Sequence, residues 1–100
     1  MHSLKCYELA VQFYRTTHGL RMPGHLKSQF LRACSSVALN LSEGSAKPSP
    51  KERAKFYRIA LGSLRECQAI FDLVGLNNRS IHEQQDKLAR HLYKLCKALE

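Results

Sequence analysis

Apolar residues recur along this chain at steps of three and four, and no stretch alternates apolar and polar positions for long enough to make a strand. Four helices follow from that rhythm. The first covers residues 3–18, with Leu4, Cys6, Leu9, Ala10, Phe13 and Thr17 expected to face inward. Tyr7, Val11, Tyr14 and His18 form a second stripe, so this helix is more apolar than one buried side requires, and Tyr7, Val11 and Tyr14 are expected to meet another subunit. Gly19, Pro23 and Gly24 then turn the chain.

The second helix starts at residue 24 or 25 and runs to 43, with Gly44 read as the left-handed residue after its end. Phe30, Cys34, Val37 and Leu41 make its apolar stripe, and Ala33, Val37, Asn40 and Gly44 run parallel to it. The third opens on a Ser-x-x-Glu capping box, Ser49 to Glu52, with Pro50 at its first position. Its expected seam is Phe56, Ala60, Ser63, Cys67, Ile70 and Val74, and Gly75 stops it. Ser80 to Glu83 repeats the start signal for a fourth helix running to the chain end, with the seam Ile81, Gln85, Leu88, Leu92, Leu95 and Leu99. Short connections between helices of this length predict one all-α domain over residues 1–100, a single up-down-up-down four-helix bundle.

Polar residues interrupt two of these helices. Asn40 is an amide on a core-facing stripe, where an unpaired group costs about 1–3 kcal/mol. Gly62, Ser63 and Glu66 interrupt the third helix, and a mid-helix Gly, about 1 kcal/mol worse than Ala, implies that another backbone comes close. Asn40, Ser63 and Glu66 are therefore expected to form a polar cluster between two close helices, with Gly44 matching Gly62. The cluster is structural in this reading, because no histidine stands at a spacing that would activate Ser63.

Composition adds charge to this picture. Sixteen Lys and Arg against eight Asp and Glu give a formal charge of +8, which points to an anionic partner, nucleic acid first and a merely solubilising face second. Lys47, Lys51, Arg53, Lys55, Arg58 and Arg65 crowd the connection and first half of the third helix. Lys87, Arg90, Lys94 and Lys97, with His91, share the outer side of the fourth. Such rows bind the phosphate backbone, and the chain has no zinc finger, RNA-recognition motif or helix-turn-helix for reading bases. Catalysis is not expected: the five histidines make no metal-ligand pair, a Gly-rich phosphate loop is missing, and no cofactor or metal is implied. The four cysteines read as small buried apolar residues. With no spanning apolar run and no signal-peptide layout, a cytoplasmic protein without a membrane partner is expected.

Two motifs carry a family resemblance. ACSSVALNLSEG, followed after a short gap by YRIALGSLRE, resembles a family of small bacterial four-helix bundles. The matching positions are Gln29, Arg32, Ala33, Ser36, Val37, Asn40, Leu41, Glu43 and Gly44, then Phe56, Ala60, Gly62, Ser63, Leu64 and Glu66. One branch is encoded in intervening sequences of 23S ribosomal RNA genes; the other is the accessory variability determinant of diversity-generating retroelements. The resemblance implies that Asn40, Glu43, Gly44, Gly62, Ser63 and Glu66 belong to a bundle motif. It also implies a basic homo-oligomer, a homopentamer, that associates with RNA or DNA and, in the retroelement branch, with a reverse transcriptase. Residues 45–50 depart from the more basic Gly-Arg type of connection that the resemblance leads one to expect.

Overall fold

The computed structural model describes residues 2–99. Four helices, α1 (His2–Thr17), α2 (Gly24–Ser45), α3 (Pro50–Val74) and α4 (Arg79–Lys97), follow one another through short connections. Each packs on its chain neighbours, α4 returns against α1, and α2 and α3 form the most extensive pair, so the expected bundle is the observed one. It measures 40 × 24 × 20 Å, its long axis set by α3.

The helix ends show which local signals are used. Lys27, in the first turn of α2, donates to the His18 carbonyl at 2.6 Å and to the Leu20 carbonyl, placing a cation on the C-terminal end of α1. At the start of α3 the Ser49 hydroxyl accepts the Glu52 N–H and donates to its carboxylate, both at 3.1 Å. Gly75 closes α3 with φ 66°, the Leu76 N–H reaching the Phe71 carbonyl at 3.0 Å and the Gly75 N–H reaching that of Asp72 at 3.3 Å. This is the Schellman arrangement, and it needs the left-handed conformation that glycine takes without steric cost.

Besides one-residue shifts at both ends of α1, three boundaries differ from the sequence reading. α2 continues through Gly44 to Ser45, with Ala46 as its C-cap. Gly44 is helical because its missing side chain serves packing instead: a Cβ there would lie 2.8 Å from Tyr57 Cε1 and 2.9 Å from Phe56 Cβ. Asn78, not Ser80, caps α4, its Oδ1 accepting the Ile81 N–H at 3.1 Å. Asn78 leaves Ser80 inside the helix and exposed. At its other end α4 stops at Lys97, capped by Ala98, short of the chain end.

The core centres on Phe71, whose ring meets Phe13 edge-on at 6.2 Å, Phe30 at 5.2 Å and His82 at 6.0 Å. Cys6, Ala10, Phe13 and Thr17 of α1 face it, as do Phe30, Cys34, Val37 and Leu41 of α2. From α4 come Ile81, Gln85, Leu88, Leu92 and Cys96, while Leu95 and Leu99 lie at its edge. Leu4 points out, 55% exposed, because it lies two positions before Cys6, more than half a helical turn; Leu9 is half-buried. On α3 the buried line is Tyr57, Ala60, Leu64, Cys67, Ile70 and Phe71, one residue from the expected seam, so Phe56, Ser63 and Val74 are only half-buried. Both registers contain Ala60, Cys67 and Ile70. In the observed one the Tyr57 ring packs beside Gly44.

All four cysteines are buried, and none is in a disulfide. Thr17 donates to the Phe13 carbonyl at 2.7 Å and lies 3.6 Å from Cys34 Sγ. Interaction with Cys34 and then burial push the Cys67 thiol up, while the same interaction, outweighing burial, draws that of Cys34 down. Burial first, and then neighbouring Cys96, pushes the Cys6 thiol up to about 12. Burial and raised pKa values keep Cys6 and Cys67 as inert packing groups.

Candidate nucleic-acid interface

The ten predicted phosphate-binding residues separate into cations that bind their own chain and cations that face outward. Arg53 is half-buried, its Nη1 donating to the Lys47 and Pro48 carbonyls at 3.1 Å each, so it clasps the α2–α3 connection. Lys47 is half-buried too, 3.4 Å from the Glu43 carboxylate and 5.2 Å from the centre of the Phe56 ring. Lys55 also lies over that ring, 6.0 Å from its centre. Lys51 and Arg58 are exposed near the start of α3.

The α4 row is broader than its sequence spacing shows. Arg90 and Lys94 lie with Arg65 of α3 around one groove of about 340 Å³, lined also by Leu61, Ala89 and Tyr93. Arg58, seven residues before Arg65, continues the α3 wall, and Lys97 extends the α4 wall. On the opposite side of α4, His91 is half-buried and its pKa is held below the ordinary histidine value, by burial first and then by the charges of Lys87, Lys94, Lys5 and Arg90. Lys5 of α1 therefore joins this field. Sequence reasoning missed it because a lone lysine in a first turn has no spacing that marks it. The α4 cations form a ridge, with Arg65 on one flank and Lys5 on the other.

The polar cluster is assembled differently from its prediction. Asn40 is half-buried, and its amide donates to the Ser36 carbonyl and hydroxyl at 2.9 Å each. Ser36, in turn, shares a 2.8 Å hydrogen bond with Ser63, so Asn40 reaches α3 through Ser36. Glu66 pairs instead with Arg32 at 3.5 Å, on the surface. Gly62 is exposed, with nothing within 4 Å of an added Cβ, so the close helix approach lies at Gly44 alone of the two. Arg32 and Glu66 thus bridge α2 and α3 about one helical turn from the Ser36–Ser63 contact.

The predicted subunit face is also rearranged. Of Tyr7, Val11 and Tyr14, only Tyr7 is exposed; Val11 and Tyr14 are half-buried, and Tyr14 stacks on His18 at 5.6 Å. Their neighbours on α2, Ala38 and Leu39, join Val11 and Tyr14 in a shallow groove of about 180 Å³. Leu39 is 67% exposed, and Leu4 and Tyr7 carry the apolar surface toward the start of α1.

Among the described residues no group of His, Cys, Asp or Glu could hold a metal ion, and no helix is long and apolar enough to cross a membrane. These features define a class of protein, the small four-helix bundle with a basic outer ridge. Residues 3–100 match the family described as 23S rRNA-intervening sequence protein, and the chain belongs to that family. No curated protein matches the chain.

Proposed function

We propose that this protein is a non-enzymatic, homo-oligomeric nucleic-acid-binding bundle that holds RNA or DNA by the phosphate backbone. The observation that carries the reading is the convergence of cations from three helices on the α4 ridge: Lys87, Arg90 and Lys94 of α4, Arg65 of α3 and Lys5 of α1. Mutual repulsion disfavours such a grouping unless an anion neutralises it. Phosphates do so while releasing their own counterions, which gives affinity with little sequence preference. Lys47 and Arg53, already bound to their own chain, contribute less than the ridge.

The test compares two variants against unrelated duplexes and single strands at low salt. Replacing Lys87, Arg90, Lys94 and Lys97 together by Ala is expected to weaken binding to every sequence alike with helicity unchanged. Replacing Lys51, Lys55 and Arg58 has the smaller effect. The reverse ranking moves the site to the start of α3, and no binding by the wild type removes the reading. If the chain acts as the retroelement accessory protein, a reverse transcriptase is its further partner. A reverse transcriptase and template-variable repeat beside the gene support that branch; placement inside a ribosomal RNA gene supports the other.

A further inference from the structure

We propose that the groove between α3 and α4 takes an unpaired nucleobase, stacked on Tyr93, so that the ridge prefers single strands to duplexes. This rests on the phosphate-binding reading above and adds to it a base-binding subsite. Tyr93 is 52% exposed, on a helix whose core positions are already filled by Leu88, Leu92 and Cys96. Its ring flanks the groove whose rim carries Arg65, Arg90 and Lys94. Cations that track a backbone beside an aromatic face that receives bases are the two elements by which proteins hold single strands without choosing sequence. A volume of about 340 Å³ lies at the small end of ligand sites, a size for one planar ring. In a duplex the base faces are covered by neighbours and the edges are paired, so a duplex meets only the rim.

Gln85 supplies an independent observation. It lines the same groove and is only 4% exposed; its Nε2 donates to the Leu64 carbonyl at 3.1 Å, while its Oε1 has no partner. A buried amide oxygen without a donor is unfavourable until one arrives. That oxygen is out of solvent's reach in this structure, so the Gln85 side chain must turn toward the groove before it meets a base, and every nucleobase carries an N–H donor on its pairing edge for it. The subsite therefore retains bases without reading them.

The experiment measures binding of a short oligothymidine, an abasic strand of equal phosphate count and a duplex, all at one low salt concentration. Wild type is expected to bind oligothymidine about ten-fold more tightly than the abasic strand, the size of a single base–aromatic stack. Tyr93→Ala brings oligothymidine down to the abasic level, leaving the abasic affinity and the melting temperature as they were; Tyr93→Phe keeps the ten-fold difference. Equal affinity of wild type for the two strands overturns the proposal, as does a Tyr93→Ala loss that is the same on both. Salt-dependent binding that ignores the bases leaves the phosphate reading intact and removes only the subsite, whereas no binding of any strand removes both.

Discussion

At Gly44 the α2 backbone comes so near α3 that a methyl group would lie 2.8 Å from the Tyr57 ring and 2.9 Å from Phe56 Cβ. Gly44→Ala is therefore expected to destabilise the bundle by about 1–3 kcal/mol, the range for overpacking, despite the better helix propensity of Ala. Thermal unfolding checks this, at about 4–8 °C per kcal/mol for a chain of this size. A second residue-scale prediction concerns Cys6. Its thiol titrates near 9.0 when unfolded and at about 12 in the fold, so the unfolded state loses its proton first as pH rises. Its stabilising contribution is complete below about pH 9 and is lost between there and about 12. Denaturant unfolding at pH 8 and 10 should show the wild type losing about 1 kcal/mol more than Cys6→Ala over that interval.

On the scale of elements, helix number, order and most ends were legible because they rest on local signals: three-four periodicity, the Ser49 cap and Gly75. The register of α3 was not, since lines through Phe56 and through Tyr57 fit the same periodicity, and packing against the other helices, not local sequence, separates them. The α4 cap was misplaced because Asn78 and Ser80 are both good capping residues. The basic face of α4 was visible in its spacing, but its flanks were not: Arg65 and Lys5 come from other helices. That arrangement makes His91 a reporter. Lys87, Lys94, Arg90 and Lys5 help burial hold its pKa below the ordinary value, so a bound phosphate that offsets their charge raises it. Binding near pH 6 should then take up a fraction of a proton, visible in calorimetry as a dependence of the heat on buffer, and His91→Gln should abolish the uptake.

For the whole molecule, the bundle leaves Leu4, Tyr7 and Leu39 exposed on the α1–α2 side, away from the core they could have joined. Self-association covers that side in the proposed assembly, and an interface of about 800 Å² on each partner is within the range of specific complexes. A ring requires two different faces to meet. Sedimentation should show an oligomer that Tyr7→Glu with Leu39→Glu dissociates into helical monomers; survival of the oligomer places the interface elsewhere. The sequence indicated an apolar surplus on α1, but the contribution of Leu39 depends on how α2 is turned against it. The central claim, that the α4 ridge binds phosphates, is tested most directly by the slope of log affinity against log salt concentration. The wild type is expected to give a steep negative slope on duplex DNA, and the variant with Lys87, Arg90, Lys94 and Lys97 all replaced by Ala a slope shallower by about 3.6, at close to 0.9 for each phosphate left unneutralised. A flat wild-type slope, or an equal slope in the variant, would contradict it.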